Sequence, residues 1–496
     1  MKNRNLSIMA ALVLSTTSVI AWAQDETDAL RYSQLSPMGT ARSSGFGGAL
    51  GSVGGDFTSL SVNPAGIGMY RKGEMMFTPS IKVNSVSGTY LGTTRSDDAS
   101  RFNVNNLGMV FTSAPQGKRY ERSKWKSTSF GVGFNRLADY NRTYNYNGFN
   151  SGPGSSSVSE LFVADANTFG LDENERNNLA YLGYESYLMN LDPTDSTFFT
   201  VVPWQSGINQ GRRVTEKGRY NEWNISIGGN YMEKLLLGAT LGIPTLRYER
   251  QSKTSEATTV ANPYNFESLD FGEYTTQKGT GINLKLGFIY KATDNFRFGV
   301  AVHTPTWFTI TDEYTPSVRS RAQGYDAYVE MDPQTFVNSY NLTTPWRGII
   351  SATAMLSKYG FITADYEYVG YNTTRFSTND INDEEYLNAY TRTTYKGASN
   401  FRIGAEGRPT DFISLRVGLG YYGSPYKKTT VNGDRIDISA GVGFRFQQWF
   451  IDFGLVNSSY KIAEQPYVSP YIDVTVPTAT LKHSMNNAAF TVGFKF

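Results

Sequence analysis

Segments of about ten residues recur along the chain, and within each of them apolar side chains alternate strictly with small, polar or charged ones. The clearest examples cover residues 413–421, 436–446, 449–455 and 490–496, with similar ones at 282–290 and 296–302. A period of two places all the apolar side chains on one face of a β-strand. This length is also roughly what a tilted strand needs to cross a lipid bilayer. The alternation therefore predicts an all-β chain whose strands each carry one apolar face.

Two classes of β protein fit this alternation, a large soluble sandwich and a transmembrane antiparallel β-barrel. The connections favour the barrel, because short and long ones alternate along the chain. The short ones lie at residues 232–234, 292–295, 357–359, 409–411 and 447–448. The composition agrees, since 14% of residues are aromatic and 18% are charged, against roughly 25% charged in average soluble domains. The last strand ends on Phe496, which is similar to the C-terminal assembly signal of bacterial outer-membrane proteins.

The pattern predicts about fourteen strands, and an even number places both termini at the periplasmic end, where the short turns lie. The predicted spans are 74–87, 101–113, 126–143, 219–231, 235–250, 278–291, 295–310, 341–357, 359–372, 395–408, 412–423, 435–447, 449–460 and 487–496. The longest external loop is predicted at 144–219, with a helix at 172–189, and a second helix is predicted at 383–390. The connection at 114–125 is longer than the other short turns and is basic, which the strand pattern leaves unexplained.

The N-terminal residues 1–23 are predicted to be a secretory signal peptide, with Lys2 and Arg4 before an apolar run and Ala21-Trp22-Ala23 at its end. A glycine-rich stretch follows at 39–73 and contains Asn63-Pro64-Ala65-Gly66. Such a stretch has few side chains to bury, so it is either a flexible linker or a segment held by another part of the chain. A barrel of this size has a lumen that must be filled or left open, which favours the held segment.

The glycine-rich stretch that ends in Asn63, Pro64, Ala65 and Gly66, directly before a strand starting near Glu74, resembles the FadL/TodX-type outer-membrane transport proteins. The resemblance implies a hatch at 24–73 that plugs a barrel of fourteen strands at 74–496. It implies uptake of hydrophobic or fatty acid-like molecules, with lateral exit where the third strand is kinked. Outer-membrane lipid, lipopolysaccharide and the barrel-assembly machinery are the other expected partners.

The third strand changes its apolar phase between Phe134 and Leu137, as a β-bulge would cause. Asn135, Arg136, Leu137 and Ala138 are therefore the candidate lateral gate. The alternative is a strand that simply ends early, because bulges also occur at barrel rims without a function.

The rest of the chemistry points away from an enzyme. The chain has no cysteine and two histidines, His303 and His483, so we expect no metal, no cofactor and no catalytic centre. A net charge of +2 gives no support for nucleic-acid binding.

Candidate lumen charges are Arg297, Arg402, Glu406, Arg416 and Arg445. Because the inward-facing charges of the strands are nearly balanced in sign, a mixed network is favoured over an ion-selective lining. A diffusion porin and an adhesin-like structural barrel remain the alternative functions.

Overall fold

The structure is a computed structural model that describes residues 27–36, 38–152, 155–171, 179–330, 336–428, 433–471, 474 and 476–496. The predicted signal peptide at 1–23, the first residues of the predicted hatch at 24–26 and residues 172–178 of the predicted helix at 172–189 lie outside the described residues.

Antiparallel strands form two sheets, a large one that closes into a β-barrel and a separate one made of the fifth and sixth strands alone. They are β1 (Glu74–Tyr90), β2 (Thr93–Ser113), β3 (Trp125–Asp139), β4 (Arg142–Asn150), β5 (Met189–Leu191), β6 (Phe198–Thr200), β7 (Ile208–Tyr231), β8 (Leu235–Ala257), β9 (Ser268–Lys291), β10 (Phe296–His303), β11 (Trp307–Ala322), β12 (Tyr325–Glu330), β13 (Val337–Thr343), β14 (Arg347–Met355), β15 (Gly360–Gly370), β16 (Arg375–Ser377), β17 (Gly397–Gly407), β18 (Ile413–Tyr422), β19 (Arg435–Arg445), β20 (Trp449–Glu464) and β21 (Ala479–Lys495). Fourteen of them pair in the order β1-β2-β3-β7-β8-β9-β10-β14-β15-β17-β18-β19-β20-β21, and β21 pairs back with β1. The predicted all-β transmembrane barrel of fourteen strands is confirmed.

Several strands extend further than the sequence predicted. The predicted spans 219–231, 235–250 and 278–291 are the lower parts of β7, β8 and β9, which continue upwards as a paired sheet. The added parts are rich in Thr, Ser, Lys and Glu, so they lack the apolar face that indicates a membrane strand. Backbone hydrogen bonds and cross-strand pairs hold them above the bilayer.

Two predicted strands are interrupted. The spans 295–310 and 341–357 were predicted as continuous, but each divides in two, at Pro305 between β10 and β11 and at Pro345 between β13 and β14. Proline has no N–H to donate to a neighbouring strand, so each ladder stops there. Because β10 pairs with β14 and β11 pairs with β13, the two breaks lie opposite each other in the wall.

The faces of the barrel are inverted relative to a water-soluble sheet. On β18, Val417 and Leu419 point outwards and are 62% and 53% exposed, whereas Arg416 points into the lumen and is 2% exposed. On β17, Phe401 and Arg402 show the same contrast. An apolar outer band around a polar interior is the arrangement that a bilayer requires.

The N-terminal segment, residues 27–73, lies against the inward face of the barrel wall. It contains α1 (Asp28–Arg31), α2 (Ala41–Gly45), α3 (Ser59–Val62) and a 3-10 helix at Pro64–Met69. Inward-facing glycines let it approach the wall closely. A Cβ atom on Gly287 would lie 2.0 Å from Asn63 Oδ1, and one on Gly404 would lie 2.1 Å from the Phe46 carbonyl oxygen. Positions in the wall where a Cβ would meet the segment within 2.5 Å are Gly108, Gly228, Gly238, Gly287, Gly299, Gly404, Gly418 and Gly454.

The remaining helices lie in the connections. They are α4 (Lys118–Arg122), α5 (Ser159–Phe169), α6 (Leu179–Glu185) and α7 (Ile381–Thr394). The helix predicted at 383–390 is present within α7 and is longer than predicted, with Asp380 as its N-cap. In the described part of the helix predicted at 172–189, only α6 is helical, and α5 was not predicted. Among the described residues no helix is both long enough and apolar enough to span a membrane.

Candidate transport site

The lumen has a filled lower part and an open upper part. A cavity of about 1400 Å³ lies above the N-terminal segment, whose residues 27–38 supply part of its lower boundary through Leu30, Arg31, Leu35 and Met38. Helix α7 contributes Leu387 and neighbouring residues to the cavity from the loop side. A cavity of this size is larger than the usual range of small-molecule sites, about 300–1,000 Å³. It is the main candidate for the place where a transported molecule rests.

Arginines and glutamates of the upper strands line the cavity. Arg212 donates to Glu273 at 3.0 Å and lies 3.7 Å from Glu464. Arg142 on β4 is hydrogen-bonded to Glu216 on β7. The nearest carboxylate oxygens to the Arg250 guanidinium lie at 3.8 and 3.9 Å, and no hydrogen bond joins that guanidinium to a described residue. Arg250 is therefore the cavity cation with the weakest hold on its neighbours.

Tyrosines supply much of the apolar surface of the cavity, together with aliphatic side chains. Those that line it are Tyr140, Tyr144, Tyr371, Tyr386, Tyr390, Tyr422, Tyr426, Tyr460 and Tyr467. Tyr460 also stacks on His483, with ring centroids 4.4 Å apart and planes at 5°. A tyrosine offers an apolar ring with one polar end, so this lining can contact both the apolar body and the polar group of a bound molecule.

The barrel wall is incomplete beside the cavity. β2 pairs with β3 only from Asn106 to Ser113, whereas the upper part of β2 pairs with β1 alone. β4 pairs with β7 and turns inwards to pack over β1, where Tyr90 and Tyr146 have centroids 5.2 Å apart. We call the resulting gap between upper β2 and the β3–β4 region the wall opening.

The candidate gate residues lie at the base of the wall opening. The register between β3 and β7 shifts between Arg136 and Ala138, so Leu137 is the extra residue of a bulge. Predicted as one continuous strand at 126–143, the third strand is instead interrupted after β3 and resumes as β4, because the bulge redirects the chain. Asn135 accepts from Asn106 at 2.8 Å and donates to Ser61 of α3 at 2.8 Å.

The N-terminal segment hydrogen-bonds to the bulge. The N–H of Ser36 donates to the carbonyl of Leu137 at 2.8 Å, and that of Met38 donates to the carbonyl of Arg136 at 3.0 Å. A displaced segment would therefore leave two strand carbonyls without these partners. Two backbone hydrogen bonds therefore join the N-terminal segment to the base of the wall opening.

Polar side chains cross the wall opening on its inner side. Lys82 of β1 lies 3.2 Å from the Asp139 carboxylate, and Asn84 donates to the carbonyl of Asn141 at 3.3 Å. Lys82, Asn84, Ala138 and Asp139 also line the cavity, so the cavity reaches the inner side of the wall opening. Side chains also join upper β2 itself to β3 and β4: Arg136 donates to Asn103, Asn145 donates to Asp97, and Arg95 donates to Asn147 at 3.1 Å. No backbone ladder accompanies these contacts.

The predicted hatch motif lies between the N-terminal segment and the wall. Asn63 caps the 3-10 helix by accepting from the N–H of Ala65 at 3.1 Å, and Pro64 occupies the first position of that helix. The Asn63 amide donates to the Gly51 carbonyl at 2.5 Å and to wall carbonyls of Phe288 and Val300 at 3.3 and 3.4 Å. Asn63, Pro64, Ala65 and Gly66 are all buried.

The five predicted lumen charges lie around the N-terminal segment, and none of them lines the cavity. Arg416 donates to Glu406 at 2.8 Å and to Asp452 at 2.7 Å, and Arg445 lies 3.0 Å from Asp452. Arg402 pairs with Asp365 and Glu367 at 3.6 and 3.4 Å. Arg297 donates to the Val53 carbonyl at 3.2 Å. The arrangement is a mixed-sign network, not a lining of one sign.

The cavity charges were missed by sequence reasoning. Arg212 fell in the predicted loop at 144–219, and Arg250 was the last residue of a predicted strand. Continuing the two-residue phase of β7 and β8 beyond the apolar band places both side chains on the inward face, and this was the signal that could have found them.

Comparison with known proteins agrees with this geometry. The model of the family described as outer membrane protein transport protein (OMPP1/FadL/TodX) matches residues 218–496, more than half of the chain. The chain belongs to this family. It is therefore an outer-membrane transporter of hydrophobic compounds, a member of a family of transporters and not of enzymes.

Solved structures of the family share the fold. A Pseudomonas aeruginosa FadL homologue is 11% identical, with a TM-score of 0.57 over 94% of this chain and 100% of the other. The Pseudomonas putida toluene transporter TodX is 14% identical, with a TM-score of 0.53 over 92% of this chain and 98% of its own. No curated protein sequence matches the chain. At these identities the likeness describes the barrel and not its substrate.

Proposed function

We propose that this family member takes up amphipathic molecules, with a fatty acid-like apolar body and a polar or charged end, by passive diffusion through the cavity and out through the wall opening. The observation that carries the proposal is that the cavity reaches the wall opening, because the same side chains, Lys82 and Asp139, border both. Tyrosine rings suit the apolar body, and the arginine and glutamate side chains suit the polar end.

Lateral exit fits the physics of such a substrate. An apolar body that passes sideways from the lumen into the bilayer never crosses the aqueous periplasm, and each buried CH₂ group favours the lipid by about 0.8 kcal/mol. The side-chain contacts across the wall opening are not accompanied by a backbone ladder. Widening the opening therefore breaks side-chain contacts, the buried Lys82–Asp139 ion pair among them, but no strand pairing.

In this proposal residues 24–73 are the hatch. The segment closes the route straight down the barrel, and its hydrogen bonds from Ser36 and Met38 to the bulge connect its position to the wall opening. The barrel comprises 74–496, with both termini in the periplasm. Phe496, which donates its N–H to the carbonyl of Gly73 at 3.0 Å and is 51% exposed, is the proposed signal for the barrel-assembly machinery.

Deletion of Leu137 tests the exit. Arg136 pairs with Asn221 and Ala138 with Tyr220, so removing the unpaired residue leaves every partner of β3 and β4 on β7 unchanged. The strand should then continue straight beside β2 and close the wall opening. We expect uptake of a fluorescent fatty acid into cells to fall about tenfold or more, while heat-modifiable migration on gels shows a folded barrel.

Deletion of Lys126 is the matched control. The register of β3 also shifts between Trp125 and Ser127, at the end of the same strand remote from the wall opening. This variant should retain uptake. Equal uptake by the Leu137 deletion and the parent would exclude lateral exit at this place. A large steady current through the full-length parent in planar bilayers would instead support the diffusion porin.

A further inference from the structure

One connection at the short-turn end differs from the others in length and charge. Between β2 and β3 the chain runs through residues 114–124, which contain α4 and which we call the basic turn. Its cations Lys118, Arg119, Arg122 and Lys124 are exposed, and Glu121 is its acidic residue. None of the four cations forms an ion pair with a described residue. Three of the other five short turns contain an acidic residue, Glu233, Asp294 or Asp411, and the turns at 357–359 and 447–448 contain none.

The basic turn is fixed to the barrel rim and does not hang freely. The Tyr120 hydroxyl is hydrogen-bonded to Glu233 in the turn between β7 and β8, and Arg71 reaches the same carboxylate at 2.7 Å. Lys126 donates to the Tyr120 carbonyl at 2.6 Å. Burial raises the pKa of Glu233, but the Tyr120 hydrogen bond and the charges of Arg71 and Lys291 outweigh burial, so the pKa is lowered and the anchor is ionised.

The position of the turn relative to the membrane follows from the aromatic residues beside it. Phe111 and Trp125, at the two strand ends that the turn connects, point outwards and are 45% and 47% exposed. The Trp125 ring packs on Tyr231 at 5.5 Å, and that of Phe111 on Phe496 at 6.0 Å. Aromatic girdles of membrane barrels lie at the level of the lipid headgroups. The two ends of the basic turn therefore lie near headgroup depth, and its four cations follow directly beyond the strand ends.

We propose that the basic turn is a binding site for the phosphate headgroups of anionic phospholipids in the leaflet that borders the short-turn end of the barrel. Exposed lysines and arginines that have no ion-pair partner in the described part of the chain are attracted to anionic headgroups nearby, and arginine in particular donates two parallel hydrogen bonds to phosphate. The fixed turn limits the entropy that binding costs. The inference stands independently of the proposed transport path, because it involves no residue of the cavity or the wall opening.

Native mass spectrometry of the full-length protein, released from nanodiscs of phosphatidylethanolamine containing one quarter phosphatidylglycerol, tests the site. The test variant carries K118Q, R119Q, R122Q and K124Q. The matched control carries R247Q, K253Q, R319Q and R321Q, four exposed cations of the opposite end. We expect the affinity of the test variant for phosphatidylglycerol to be at least roughly tenfold lower than that of the parent. The affinity of the control should equal that of the parent.

Salt adds a second readout. Retention by the parent should fall as the salt concentration of the release buffer rises, and the test variant should show a shallower dependence. Heat-modifiable migration verifies that both variants are folded. Equal phosphatidylglycerol retention by the test variant and the parent would overturn the proposal, and an acidic protein would then be the partner to consider. Equal retention of phosphatidylethanolamine and phosphatidylglycerol by the parent would overturn it as well.

Discussion

The lower and upper halves of the lumen are lined by the same strands, yet they differ in how tightly they are filled and in how closely their arginines are held. In the lower half, Arg416 is fully buried and holds two carboxylates at 2.8 and 2.7 Å. In the upper half, the Arg250 side chain is 22% exposed and its nearest carboxylates lie at 3.8 and 3.9 Å. The lower half is filled and its Arg416 is held closely, whereas the upper half is open and its Arg250 is held at longer distances.

The difference comes from what occupies each half. Below, the backbone of the N-terminal segment takes the space that side chains would otherwise fill, so the wall has glycine at the points of contact. Above, the described residues leave a cavity, and the wall carries Tyr, Arg and Glu around it. One barrel can therefore be filled in its lower part and open in its upper part. Glycines on the inward face mark the filled part, and large inward side chains mark the open part.

The largest predicted effect contrasts the two arginines. Arg416→Met would remove one cation shared by Glu406 and Asp452, and breaking a buried ion pair costs about 3–5 kcal/mol. We expect about 3 kcal/mol of destabilisation in urea unfolding followed by tryptophan fluorescence, because Arg42 and Arg445 still reach these carboxylates. Arg250→Met should cost about 1 kcal/mol or less and should instead weaken uptake of anionic substrates. Equal destabilisation by the two changes would contradict the contrast between the halves.

A glycine substitution tests the close packing of the lower half. In Gly287→Ala the new Cβ would lie 2.0 Å from Asn63 Oδ1 and 2.7 Å from the Ala65 nitrogen, so the N-terminal segment must move away. We expect overpacking to cost about 1–3 kcal/mol and to raise single-channel conductance, because the displaced segment no longer fills the lumen. The matched control is Gly348→Ala, where a Cβ meets no atom within 4 Å and conductance should not change. An unaltered conductance for Gly287→Ala would show that the segment does not determine closure.

The hatch motif is expected to have a smaller effect. Replacing Asn63 and Pro64 with Ala removes the cap of the 3-10 helix and the amide contacts to the wall, worth about 1–2 kcal/mol together. The barrel should stay folded while protease cleavage within residues 27–73 becomes faster. Asn209→Ala, at an exposed position of β7, is the control and should leave cleavage unchanged. Unchanged cleavage in the double variant would mean that the motif does not hold the segment.

Much of the lower half was predictable from the sequence, and little of the upper half was. The apolar alternation in strands such as β18 marks the bilayer, and the glycine-rich stretch before Glu74 indicates a segment held inside. The upper wall is polar on both faces, so no pattern separated strand from loop, and Arg212 was assigned to a loop. Nothing local in β2 indicates that it loses β3 as a partner above Asn106, because this depends on where β4 packs.

The smallest predicted effect extends the contrast to the loops above the cavity. Phe162 and Val163 of α5 pack in an apolar cluster with residues of α6 and the strand tips. Glu160 on the same helix is 5% exposed, and its Oε2 has no hydrogen-bond partner among the described residues. Burial, together with the charge of the neighbouring Glu256, raises the pKa of Glu160 from 4.5 to about 7, although a hydrogen bond from the Ser157 backbone opposes the shift.

The sign of the pH dependence follows from this shift. Between about pH 4.5 and pH 7 the folded loops bind a proton that the unfolded chain has released, so the stabilisation is complete below this window and is lost as the pH rises through it. Hydrogen exchange of residues 158–169 should therefore be slower at pH 5 than at pH 8, after correction for the intrinsic exchange rate. Glu160→Gln should reduce this difference, whereas Glu185→Gln, at an exposed position of α6, should preserve it. An equal pH dependence in Glu160→Gln and the parent would mean that Glu160 does not control the hydrogen exchange of these loops.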